Sequence, residues 1–142
     1  MKGFSLDAIQ TKIDRVKNQF NSFKDKAEVY EFLVSLGKKR PSPPPEICIE
    51  KNRVKSCQSI LYIECRKEGE LHHFTPYSEA LISLGLATLM CEIYSNETLE
   101  TLLRTKPFFL DEIQLLVVLS PGRALGLKGI YPLFIRQALL FC

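Results

Sequence analysis

The chain carries little net charge, no apolar run long enough to cross a bilayer and no pair of cysteines two residues apart. Each absence removes a class of function. A formal charge of +3 over 142 residues is too small for the electrostatic footprint of a nucleic-acid binder. No stretch of about 18 apolar residues occurs, and the opening Met1-Lys2-Gly3-Phe4-Ser5-Leu6-Asp7 lacks the apolar centre of a secretory leader. A soluble cytoplasmic protein with no membrane or nucleic-acid partner is therefore expected. The five cysteines, Cys48, Cys57, Cys65, Cys91 and Cys142, are odd in number and form no Cys-x-x-Cys pair. Neither a disulfide framework nor a paired-thiol zinc site is expected, and the thiols read as reduced. The two histidines, His72 and His73, are adjacent; on a strand they point to opposite faces and do not share a metal. What remains, 46% hydrophobic and 25% charged, is the composition of one globular domain with a sizeable core.

Periodicity supplies the elements. Ile9, Ile13, Val16, Phe20 and Phe23 recur at spacings of four and three and predict an amphipathic helix from near Ser5. After the polar break Asn21-Ser22, a second helix carries Val29, Phe32, Leu33 and Leu36, with Gly37 as a left-handed cap. Lys38-Lys39-Arg40-Pro41-Ser42-Pro43-Pro44-Pro45 cannot continue it, because proline lacks the amide donor, and reads as a stiff connector within the domain. A short strand at Arg53 to Lys55, a second through Leu61, Ile63 and Cys65, and a third from Leu71 to Thr75, ended by Pro76, predict a three-stranded antiparallel sheet with a hairpin at Lys67 to Glu70. Cys65 falls on its apolar face. Ser78 to Tyr94, charged only at Glu79 and Glu92, reads as a buried helix, with Cys91 in the core and Gly85 at a close backbone approach. Thr98 to Leu103 forms a short helix. Phe108, Phe109, Ile113, Leu115 and Leu116 add buried surface. Ser120 and Pro121 cap a last helix, which Pro132 is expected to kink. The fold class is α+β, a small antiparallel sheet against several helices.

Cys57 lies in Val54-Lys55-Ser56-Cys57-Gln58-Ser59, a turn leading into the apolar run Ile60-Leu61-Tyr62-Ile63. A cysteine so placed is displayed, and the cations Arg53 and Lys55 beside it suit an anionic, nucleophilic sulfur. The alternative is a buried structural thiol. Arg123 breaks a local rule: it sits at the third position of the last helix, where the dipole prefers a carboxylate. It serves either in a structural ion pair or as a fork presented to the Cys57 loop.

In these segments the chain resembles the SufE family of sulfur acceptors. The resemblance rests on Tyr30 to Gly37, on Cys57-Gln58-Ser59, on Gly85-Leu86-Ala87, on Ile93-Tyr94-Ser95-Asn96-Glu97-Thr98, and on Leu119-Ser120-Pro121-Gly122-Arg123 with Gly126. It spans most of the chain, and the order and separation of the pieces make it specific. It implies a SufE/IscU-like α+β domain over residues 1–142, with N-terminal helices at about 5–37, the connector at 38–46, the sheet and acceptor loop at about 52–76 and helices over 78–142. It further implies that Cys57 takes a sulfane sulfur from the persulfide of a SufS-like cysteine desulfurase, stimulates that enzyme and passes the sulfur to an iron–sulfur scaffold. The chain is then a protein cosubstrate rather than an enzyme, with no cofactor or metal of its own, the pyridoxal phosphate belonging to the partner. Arg123 would steady the loop or the sulfur charge. Arg53, Lys55, Ser56, Gln58, Ser59 and Glu79 would meet the partner.

Three positions depart from the family pattern: Ser56 stands where glycine is usual, Tyr62 where tryptophan is usual, and Tyr77-Ser78-Glu79 replaces a turn with two carboxylates. Together they suggest a divergent member with altered partner preference, and Ser56 keeps open a docking regulator that binds the desulfurase without carrying sulfur. A metal or cluster scaffold on Cys48, Cys57 and Cys65, nine and eight residues apart, matches no finger spacing. A Cys-His hydrolase lacks a recognisable oxyanion-type glycine loop. The cations Lys38, Lys39, Arg40, Lys51, Arg53 and Lys55 are either solvated surface or a steering patch for an acidic partner. Homodimerisation is left open.

Overall fold

A computed structural model describes residues 6–39, 45–57 and 59–141. Helix α1 (Leu6–Asn21) buries Ile9, Ile13 and Phe20 along the stripe expected of it, with Val16 and Phe23 packed at its margin. Helix α2 (Lys26–Lys38) opens on a reciprocal cap: Glu28 N–H donates to Asp25 Oδ1, and the Glu28 carboxylate accepts from Lys24 N–H at 2.7 Å. Its end differs from expectation. The helix runs through Gly37 and closes at Lys39 in right-handed conformation. Gly37 is instead a contact residue, since a Cβ there would lie 2.6 Å from Leu81 O. The expected start at Ser5, the connector residues Arg40-Pro41-Ser42-Pro43-Pro44 and Cys142 lie outside the described residues.

The sheet has two strands among the described residues, not three. β1 (Leu61–Glu68) pairs antiparallel with β2 (Leu71–Ser78) around a turn in which Gly69 adopts φ +62°. The segment expected as a third strand contributes a single bridge, Arg53 to Tyr62. A 3-10 turn at Glu50–Asn52 precedes it, and a turn closed by Cys57 N–H on Val54 O follows, so one residue is left to pair. β2 also runs past Pro76. The N–H groups of His72 and Phe74 donate away from β1, to Glu97 O and Ser95 Oγ. Position 76 shares that outward parity, so proline costs the ladder no hydrogen bond. As expected of adjacent strand residues, His72 is buried and His73 faces outward.

Helix α3 (Leu81–Tyr94) is buried on nearly every face. It begins three residues after Ser78, whose hydroxyl donates to Ile60 O and accepts from Ala80 N–H. Gly85 is where α2 and α3 touch most closely: a Cβ would lie 2.0 Å from Leu33 O. After α4 (Leu99–Arg104), α5 (Phe109–Glu112) and α6 (Leu115–Val118), the long α7 (Pro121–Leu139) packs across the hairpin. It remains helical through Pro132. Phe109 and Leu115 join the core, whereas Phe108 is exposed, its neighbour Phe109 taking the inward position.

The turn after α3 is fixed electrostatically. Lys12 of α1 reaches the buried Glu97 at 2.8 Å and donates to Ser95 O at 2.8 Å. Removing one partner of such a pair strands a buried charge. Lys12→Met is expected to lower unfolding free energy by about 2 kcal/mol, less than for a fully buried pair because Lys12 is partly exposed. Urea unfolding checks this; an unchanged midpoint would contradict it.

Candidate functional site

Cys57 sits where the chain turns from the 3-10 segment into β1. Val54 is buried, its N–H donates to Leu61 O at 2.9 Å, and its carbonyl accepts from Cys57 N–H at 3.1 Å. The resulting tight loop lies against α7, where glycine makes room. A Cβ on Gly126 would meet Cys57 Sγ at 2.9 Å and Cys57 Cα at 3.1 Å; one on Gly129 would meet Ser56 Oγ at 2.0 Å. The two glycines are three residues apart and share a helix face. Ser56 is thus seated on Gly129, so a side chain at that loop position is accommodated.

The thiol is not displayed, as the turn position suggested, but half-buried and directed inward. It lines a cavity of about 10 Å³ shared with Leu61, Ser83, Leu86, Arg123 and Leu127. That space is about one water in size. Arg123 holds the position foreseen for it: Ser120 Oγ accepts its backbone N–H at 3.3 Å, and Pro121 opens the helix. Among the described residues no carboxylate pairs with its side chain. Arg123 is half-buried and lines the same cavity as Cys57.

The other expected site residues divide. Ser59 is half-buried and Ser56 exposed on the same loop. Glu79 is exposed and follows Ser78, whose hydroxyl ties its turn to Ile60 at the end of the Cys57 loop. Arg53 is held by its backbone bridge to Tyr62. Lys55 points outward, 4.0 Å from Glu50. Gln58 lies outside the described residues. Sequence reasoning quoted Gly126 without a role and missed Gly129 as the loop's seat. The signal was present as a Gly-x-x-Gly spacing inside a helix, where glycine costs about 1 kcal/mol and calls for a packing reason.

With this geometry in hand, residues 14–138 match the family model described as SufE, Fe-S metabolism associated domain. The chain belongs to the SufE family. It is 28% identical over 127 residues to an uncharacterised SufE-like protein of Synechocystis, covering 89% of this chain and 80% of the relative. It is 26% identical over 120 residues to the sulfur acceptor protein CsdE of Escherichia coli, covering 82% and 81%. The solution structure of a hypothetical protein from Thermus thermophilus superposes with a TM-score of 0.73 at 25% identity, over 91% of this chain and 96% of that one.

Within this SufE-family fold the remaining thiols sit differently. Cys91 is buried in α3. Cys65, expected in the core, is half-buried at the end of the inward face of β1. Burial pushes its thiol up to about 11, with Glu64 adding to the rise and Arg66 opposing it. At about pH 8 only about one Cys65 in a thousand is then a thiolate. Iodoacetamide labelling of Cys65 should be slow there and climb about tenfold per pH unit up to about pH 10; rapid labelling at neutral pH would contradict this. The unfolded thiol ionises near its ordinary 9.0. Cys65 therefore leaves stability unchanged below that value and lowers it as pH rises from 9 toward 11. Among the described residues, no three His, Cys, Asp or Glu side chains converge to hold a metal, and no helix is long and apolar enough to cross a membrane.

Proposed function

We propose that this SufE-family protein is a persulfide carrier: Cys57 accepts sulfane sulfur from a pyridoxal-phosphate cysteine desulfurase, stimulates it, and hands the sulfur to an iron–sulfur scaffold. The observation that carries the reading is the half-buried Cys57 thiol in a small cavity lined also by Arg123, on a loop seated on glycines. The Cys57 thiolate attacks the outer sulfur of the partner's persulfide. The partner's S–S bond breaks, its own cysteine leaves as thiolate and takes up the proton Cys57 lost, and Cys57 becomes the persulfide. No net oxidation occurs. Delivery repeats the step with a scaffold thiol as attacker.

A cavity of about 10 Å³ does not hold a second sulfur beside the first, so loading requires the 54–57 loop to lift from Gly126 and Gly129. That seat has no Cβ to retain it. In contact with a partner the loop swings the thiol outward; against α7 it encloses the product, with Arg123 facing the anionic terminal sulfur. Exposed Ser56, Lys55 and Glu79 surround the loop and meet the desulfurase, and the charge of Lys55 makes association slower as salt rises.

The test is desulfurase turnover of cysteine with and without this protein, with its intact mass followed in parallel. The carrier reading expects faster turnover and one added sulfur that reductant removes. Complex formation with no mass gain would replace it by a docking regulator.

A further inference from the structure

Away from the thiol cavity, a cleft of about 760 Å³ opens between the Glu50–Asn52 turn, the Cys65 end of β1 and the last turns of α7. We infer that this cleft is a docking groove for an acidic peptide segment bearing an apolar side chain, presented by a protein partner. Three cations line it, Lys51, Lys55 and Arg136, against one carboxylate, Glu50. Glu50 lies 4.0 Å from Lys55, and no ion pair is found for Lys51 or Arg136 among the described residues. Leu140 and Phe141 complete the wall and remain 73% and 43% exposed. Solvated cations around exposed apolar side chains complement carboxylates flanking an apolar one.

Gln137, also on the wall, points to a peptide rather than a phosphorylated ligand. Its Nε2 donates to Ile63 O at 2.6 Å and Asn52 Oδ1 at 3.1 Å. Ile63 O can only accept, and Asn52 is itself fixed by donating through Nδ2 to Ile47 O, so the Gln137 amide has one orientation. Its Oε1 is buried without a donor among the described residues. Such an orphan acceptor has a cost of desolvation that a donor relieves. A peptide N–H entering the floor supplies that donor, whereas a phosphate ester in its dianionic form has none to give. Lys55 stands two residues from Cys57, so an occupied cleft adjoins the base of the acceptor loop. The inference goes beyond sulfur transfer and requires no chemistry at Cys57.

The test titrates the full chain with a fluorescently labelled, capped peptide of alternating aspartate and leucine, followed by anisotropy and by the NMR signals of the Gln137 side-chain amide. Saturable binding is expected, shifting those signals and weakening with salt. Arg136→Glu and Lys51→Glu should each weaken it about tenfold, as should asparagine in place of aspartate in the peptide. Lys24→Glu, an equal charge change on another face, and Cys57→Ser should leave it unchanged. Absence of binding at low salt, equal loss in Lys24→Glu, or shifts centred elsewhere would each overturn the inference. Binding that survives alongside a Cys57 that never gains sulfur would leave the groove standing and remove only the carrier reading.

Discussion

Cys57→Ser is expected to take sulfur loading to the level seen without the protein, while the fold and the complex with the desulfurase persist. Serine fits the same cavity, so the stability change should stay within about 1 kcal/mol. What disappears is the nucleophile, since only a thiolate attacks a persulfide sulfur at useful rates near neutral pH. Cys48→Ser and Cys65→Ser should load normally; the Cys65 thiol is held protonated by burial. Stimulation of the desulfurase discriminates further. If Cys57→Ser still accelerates cysteine turnover, the surface rather than the thiol acts, and the docking regulator is the better description.

Gly85→Ala is expected to produce the largest loss of stability. Helix propensity alone argues the opposite, because alanine gains about 1 kcal/mol over glycine in a helix interior. Packing reverses the sign. A Cβ at position 85 would lie 2.0 Å from Leu33 O, 2.7 Å from Leu33 C and 3.1 Å from Leu33 Cα. These are backbone atoms of α2 and cannot rotate aside, so α2 and α3 must separate. Overpacking of this kind costs about 3 kcal/mol or more, which lowers the melting temperature by on the order of 10 °C. Ser83 and Leu86, flanking Gly85 on α3, line the Cys57 cavity, so a shift of α3 also disturbs the thiol's enclosure. Calorimetry decides; an unchanged or raised melting temperature would contradict the packing argument.

The parts of the fold legible in the sequence are those where local chemistry and burial agree. The Ile9, Ile13, Phe20 stripe, the almost uncharged α3 and the Ser120-Pro121 start of α7 each carry their own signal. Gly85 was readable as a close approach because propensity and pattern disagreed there. What could not be read depends on neighbours distant in sequence. Gly37 looked like a helix cap, but its neighbour is the Leu81 carbonyl of another helix. Pro76 looked like a strand end, but its register turns the missing N–H away from β1. Arg53 looked like a strand residue, but the turns on both sides limit it to one bridge. At the site, Cys57 and Arg123 were legible as residue types out of place. That Cys57 faces inward was not, because Gly126, which admits it, lies on an element 69 residues away.

The most direct measurement is peptide-level mass spectrometry of the wild-type chain after reaction with a cysteine desulfurase and cysteine, with free thiols blocked before digestion. One sulfur on the peptide containing Cys57, removable by reductant, is the predicted result. Sulfur on Cys65 or another cysteine, with Cys57 recovered as a blocked thiol, would contradict the account.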